Sequence, residues 1–210
     1  MILQEEDARA LLSELGPAGV IEKLDGLASE LSLESQKQNL VSRASLEDVW
    51  VRHFADSAQL LMHVPRETPG AWFDLGSGAG FPGLVLAILR PEEPMVLVES
   101  RRRRIEWLQA MKAKLALANC EIVGKRLEQV NSRKAAVISA RAFAPLPKLL
   151  TLSARFSTES TYWVLPKGRS AAQEVSELRD ELRKMFHVQQ SITDHGAGIV
   201  IGQGKVEATE

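Results

Sequence analysis

The residues best placed to do chemistry lie between positions 73 and 99. Phe73-Asp74-Leu75-Gly76-Ser77-Gly78-Ala79-Gly80-Phe81-Pro82-Gly83 is an apolar run that enters a glycine-dense turn and leaves it as a helix-compatible stretch. Gly76, Gly78 and Gly80, with Ser77 between the first two, form a turn whose backbone angles and lack of side chains let the main chain approach a ligand closely. Pro82 suits the first turn of the following helix. A second apolar run, Met95–Val98, ends in Glu99, at the roughly twenty-residue spacing that lets an acidic side chain accept hydrogen bonds from a ribose. The pair implies a bound adenosine. Read from Gly78, the segment also matches G-x-G-x-x-G, so a dinucleotide and an NAD(P)-linked oxidoreductase remain an alternative. Asp74 favours S-adenosyl-L-methionine. Its ammonium and sulfonium attract a carboxylate that a pyrophosphate would repel, an effect on the order of several kcal/mol in a partly dry site.

The acceptor atom is read at the exit of the fourth expected strand, because ligands in such folds sit beyond the carboxyl ends of the strands. The segment is Ser139-Ala140-Arg141-Ala142-Phe143-Ala144-Pro145-Leu146-Pro147. It lacks the Asp/Asn-Pro-Pro-aromatic cluster suited to an exocyclic amine. Methylation of a pyrimidine C5 needs a thiolate, but the single cysteine, Cys120, falls at the start of a strand. Guanine N7 carries an in-plane lone pair and no proton, so positioning suffices, and alignment alone supplies up to about 7–11 kcal/mol. Arg141 is the candidate catalytic residue, fixing guanine O6, a phosphate or the cofactor carboxylate, with a structural ion pair as its other reading.

Those residues need a scaffold. Helical periodicity covers 5–35 with a break at Gly16-Pro17, and a second helix is expected over 46–62, where Trp50, Phe54, Ser57 and Leu61 share a face. From residue 71, strands at 71–75, 95–98, 120–123, 135–139 and 161–165 alternate with helices near 82–90, 101–118, 145–155 and 170–185. That pattern predicts a doubly wound, mostly parallel α/β sheet of Rossmann-like type. Strands at 187–192 and 199–202 are too close for a crossover and predict an antiparallel hairpin. The expected organisation is an N-terminal helical extension, 1–66, on a core domain, 67–210, in one compact unit.

The formal net charge of −1 conceals an asymmetry. Residues 1–66 hold 6 Lys+Arg against 11 Asp+Glu, a net −5, whereas residues 99–148 hold 12 against 4, a net +8. A local basic field attracts phosphate backbones without a basic whole. The candidate RNA contacts are Arg101, Arg102, Arg103, Arg104, Lys125, Arg133, Lys148 and Lys167, although four tandem arginines also read as a solvated face. No stretch suits a membrane span or a signal segment, and one cysteine with four dispersed histidines predicts no metal site. The chain is expected to be soluble.

Asp74–Gly83 together with Arg52-His53-Phe54-Ala55-Asp56-Ser57, Val98-Glu99-Ser100, Ser139–Ala142 and Leu165-Pro166-Lys167-Gly168 resembles the glucose-inhibited-division protein B family. The likeness runs from about Asn39 to the C-terminal hairpin. It implies the class I methyltransferase fold and S-adenosylmethionine-dependent methylation of guanine N7 in 16S ribosomal RNA by a cytoplasmic, monomeric enzyme. It also implies cofactor contacts from Gly76, Phe81, Leu127, Glu128 and Arg141, and places Arg52 and His53 among the candidate RNA contacts. A non-catalytic ribosome-binding factor on the same fold is the other alternative.

Overall fold

The computed structural model describes residues 1–207. Among these residues seven strands form one sheet in the order β3-β2-β1-β4-β5-β7-β6: β1 Trp72–Leu75, β2 Met95–Glu99, β3 Cys120–Gly124, β4 Val137–Ser139, β5 Tyr162–Lys167, β6 Phe186–Gln190 and β7 Gly198–Gln203. The first five are parallel, and β7 runs antiparallel between β5 and β6. Every residue of β1 and β2 is buried, as central strands covered on both faces require. On edge strand β6 only Phe186 is buried. The order reverses beside β1, between β2 and β4, and opens a crevice at the carboxyl ends of these strands.

Helices α5 Gly83–Leu89 and α6 Arg102–Lys114 follow β1 and β2; α7 Leu146–Ser153 follows β4. The N-terminal helices α1 Glu5–Leu15 and α2 Val20–Ser35 bury Leu12, Leu24, Leu27 and Leu31 in the same apolar cluster as Leu84 and Leu86 of α5. Phe73, Ile138, Leu149, Phe156 and Trp163 fill the opposite face.

Two expected helices are broken. The single helix over 46–62 is instead α3 Arg43–Glu47, a π-helical turn Trp50–Ala55, α4 Asp56–Ala58 and a 3-10 turn Gln59–His63. The wide turn buries Trp50, Val51, His53, Phe54 and Ala55 and leaves Arg52 outside, more inward residues than one face of a regular helix provides; such turns often mark functional sites. The helix over 170–185 is α8 Ala171–Ser176 and α9 Asp180–Arg183. Between them Leu178 turns into the core and Arg179 is extended.

Candidate active site

The glycine turn at the end of β1 is held from several sides. Gly76, Gly78 and Gly80 have φ of +72°, +58° and +102°, angles that favour glycine. The Gly76 and Ser77 N–H groups donate to the Val98 carbonyl at 2.8 and 3.0 Å. The Trp107 indole donates to the Ala79 carbonyl at 2.9 Å. Ser77 is buried, its hydroxyl donating to the Asp74 carbonyl.

Glu99 is also built into this turn. Its Oε2 accepts from Gly78 N–H at 2.9 Å, and its Oε1 accepts from the N–H groups of Ser100 and Arg101 at 2.7 and 2.8 Å. Three of roughly four lone-pair positions on a carboxylate are thereby used, leaving capacity for one hydroxyl. The Arg104 guanidinium stands 4.0 Å away.

Asp74 differs from its expected position. The carboxylate is fully buried; Oδ1 accepts from the Ser139 hydroxyl at 3.1 Å and Oδ2 from Gly83 N–H at 3.2 Å. It therefore braces β1 against β4 and the start of α5, beneath the turn. Burial pushes its carboxyl up to about 6, against the opposing pull of those hydrogen bonds.

Two concavities open at this end of the sheet. A groove of about 210 Å³ is lined by Gly76, Glu99, Arg101, Arg104, Lys125 and Leu127. A cleft of about 780 Å³ is lined by Arg52, His53, Asp56, Arg141, Lys167 and Thr193, among others. Of the two neighbours expected at the cofactor, Leu127 faces the groove, whereas Glu128 is exposed outside its lining. Phe81 is buried beneath the cleft, its ring stacked on His53 at 4.6 Å and the Arg141 guanidinium 5.3 Å above its centroid.

Arg141 is fixed by two partners from the π-helical turn and α4. It donates to Asp56 Oδ2 at 3.2 Å and to His53 Nδ1 at 3.1 Å. A guanidinium only donates, so Nδ1 is the acceptor and the ring proton resides on Nε2. Burial, then the charges of Arg141 and Arg52, hold the His53 imidazolium down at about 3. His53, expected among the RNA contacts, is thus neutral and buried, and acts here as an acceptor for Arg141. Asp56, singled out only as part of a motif, is the residue the sequence reading missed: its Oδ1 also accepts from Thr193 and Gln59 at 2.8 Å each, tying the β6–β7 loop to the wall of the cleft. Its place within the Arg-His-x-x-Asp-Ser segment was the available signal.

The other basic candidates separate by surroundings. Arg101 and Lys125 are exposed at the groove, and Arg103 is exposed nearby. Arg102 pairs with Glu106 at 2.9 Å, and Arg104 is turned toward Glu99. Arg52 pairs with Asp194 at 3.0 Å across the cleft mouth. Lys167 is largely buried, donating to Glu174 at 2.8 Å and to the Ala144 carbonyl. Arg133 corrects the expectation most clearly: it pairs with Glu121 at 2.8 Å on the amino-terminal half of β3, away from both concavities. Lys148 is exposed on α7, outside both linings. No group of three or more acidic, histidine or cysteine side chains could hold a metal ion among the described residues. Cys120 begins β3 buried, its thiol pushed up to about 11 by burial.

A family model described as rRNA small subunit methyltransferase G matches residues 20–199. The chain belongs to this family. It is therefore a methyltransferase that uses S-adenosylmethionine, and neither the oxidoreductase nor the non-catalytic reading is supported. A relative from Erythrobacter litoralis named ribosomal RNA small subunit methyltransferase G is 58% identical over 207 residues, spanning 99% of this chain and 100% of its own length. One of the same name from Sphingopyxis alaskensis is 53% identical, over 88% of this chain and 78% of its own. Among solved structures, an RNA methyltransferase from Salinibacter ruber in complex with S-adenosyl-L-homocysteine aligns with TM-score 0.51 at 15% identity, over 73% of this chain and 93% of its own. A Methanococcus jannaschii fibrillarin aligns with TM-score 0.55 at 15% identity, over 71% and 74%. These structural likenesses establish the class I methyltransferase fold. Among the described residues no helix is long and apolar enough to cross a membrane.

Proposed function

We propose that this enzyme methylates N7 of a guanine in 16S ribosomal RNA, acting as a cytoplasmic monomer on the small ribosomal subunit or its RNA. The carrying observation is the pairing of a groove at the glycine turn with a larger cleft whose titratable walls are already committed. Among the described residues lining that cleft, His53 is buried and neutral, while Lys167 is engaged by Glu174 and the Ala144 carbonyl. Neither is poised to take a proton, and N7 has none to give.

The groove carries groups suited to a methyl donor. Gly76 would offer main chain at close approach, with Ser77, Gly78 and Gly80 shaping the turn behind it, Glu99 would accept a ribose hydroxyl on its remaining lone pair, and Leu127 would give an apolar wall. Phe81 and Asp74 would act from below, through His53 and the loop, and Glu128 from the groove's outer edge. Bound S-adenosylmethionine supplies an electrophilic methyl carbon on sulfur, so an in-plane nitrogen lone pair is a sufficient nucleophile. Arg141, held by Asp56 and His53, would orient guanine O6, a phosphate or the cofactor carboxylate at the cleft. Arg101, Arg103 and Lys125 are the candidates for phosphate contacts, with Arg52 at the cleft mouth and Lys148 outside both concavities.

The deciding experiment is a map of N7-methylguanine in 16S ribosomal RNA from cells with and without this protein. One N7-methylguanine should disappear with the gene and return with the wild-type copy. An unchanged map, or a lost methyl group on a ribose 2′-hydroxyl, would remove the assignment.

A further inference from the structure

Among the described residues, the groove and the cleft share only Ala142 and Phe143. Both belong to the bend that leaves β4, where Ala142 holds φ +52°, a left-handed conformation uncommon for a residue with a side chain. The Phe143 ring lies against the glycine turn. A methyl group built on Gly76 would fall 2.4 Å from its Cδ2 and 3.2 Å from Cγ and Cε2. The close-approach space that a glycine leaves open is therefore occupied by an aromatic ring. Ring contacts among the described residues involve Phe54, Phe73, Phe81, Phe156 and Phe186, but Phe143 is half-buried outside that set.

Methyl transfer needs sulfur, carbon and nitrogen in line, so donor and acceptor must meet across the boundary that this ring occupies. We propose that Phe143 is a gate between the donor groove and the acceptor cleft. The ring leaves Gly76 as the donor enters, and in its displaced position it becomes the wall against which the acceptor base seats. Donor binding then raises RNA affinity. The inference rests on the methyl-transfer reading above.

The test uses S-adenosylhomocysteine as the donor probe and 16S ribosomal RNA transcribed in vitro as the acceptor probe, with the wild type, Phe143→Ala and Phe143→Leu. Removing the ring should leave donor affinity equal or greater and raise its association rate about tenfold in stopped flow, because the competent state no longer waits on ring motion. The donor probe should tighten RNA binding by the wild type about threefold or more and have no such effect on Phe143→Ala, since coupling is reciprocal only while the coupling element is present. Phe143→Leu should fall between, and it carries the test if the alanine variant does not fold. A donor affinity about tenfold weaker in both variants would make the ring a direct contact and overturn the gate. An unchanged association rate, or a wild-type RNA affinity indifferent to the donor probe, would overturn it as well. A wild type that does not bind S-adenosylhomocysteine would instead remove the methyl-donor reading, a result distinct from failure of the gate alone.

Discussion

Asp74 and Arg141 show how neighbours decide what a charged residue does. Asp74 lies in the core, and its carboxyl, raised by burial to about 6, binds its proton more tightly in the folded chain than in the unfolded one. The stability that protonation contributes is full below the unfolded value near 3.8 and is lost as pH rises through about 6. Asp74→Asn should therefore remove a pH-dependent difference on the order of 3 kcal/mol between about pH 3.5 and 7.5. Urea unfolding of both proteins at these two pH values checks it; parallel curves would contradict the buried anion. Arg141 owes its orientation to Asp56 and His53. Arg141→Lys keeps the charge but loses the planar fork, and should lower the single-turnover methylation rate about 100-fold with the fold intact. With His53 neutral far above its value of about 3, that rate should be flat from about pH 6.5 to 8.5, where neither His53 nor N7 changes protonation. A bell-shaped profile traced to one side chain would point to a base elsewhere.

At the scale of elements, the turn between β1 and α5 is constrained more by packing than by the ligand it would serve. A Cβ on Gly78 would meet nothing closer than Arg104 Nη1 at 3.5 Å, so Gly78→Val is opposed chiefly by its φ of +58°. Gly83 has no such angle, yet a Cβ there would lie 2.7 Å from Leu97 Cγ and 2.8 Å from Asp74 Oδ2. Leu97 is fully buried, so neither neighbour can withdraw freely. Gly83→Ala should cost about 1–3 kcal/mol of stability, as overpacking in a filled core does. Chemical denaturation measures it, and a loss below about 0.5 kcal/mol, typical of unconstrained sites, would show that β1 and α5 separate easily. The π-helical turn is the counterpart on the other wall, burying His53 while keeping Arg52 outside.

For the whole molecule, the sign of the charge matters less than where it is free. Arg52, Arg102, Arg133 and Lys167 are held in ion pairs, whereas Arg101, Arg103 and Lys125 stand exposed at or near the groove. Replacing those three with Ala should weaken RNA binding and flatten the slope of log affinity against log salt by roughly one unit per lost contact. Arg133→Ala should leave the slope unchanged. Anisotropy titrations over a salt series distinguish the two, and a slope indifferent to all four substitutions would make the basic segment a solvated surface. Because the guanine N7 edge in an RNA duplex faces a deep, narrow groove, unpaired target RNA should bind and react better than duplex RNA.

What the sequence determined by itself is local. The periodicity of apolar runs placed all seven strands and the closing hairpin, and the glycine turn with Glu99 marked the groove, because backbone conformation and strand burial are written in neighbouring residues. The division of 46–62 into four helical pieces was illegible, since a π-turn is selected by what its residues pack against rather than by their spacing. Charge pairing was equally hidden. Arg133 meets Glu121, and Arg141 meets Asp56 across 85 positions of chain, and no spacing along the chain says which carboxylate each arginine will meet. Asp74 reads as a ligand group in sequence because its turn is one, yet the sheet directs its carboxylate into the core, where Ser139 and Gly83 claim it. Tertiary structure thus decided which of the charged residues are braces and which are open to a ligand, because desolvation and pairing depend on neighbours in space and not along the chain.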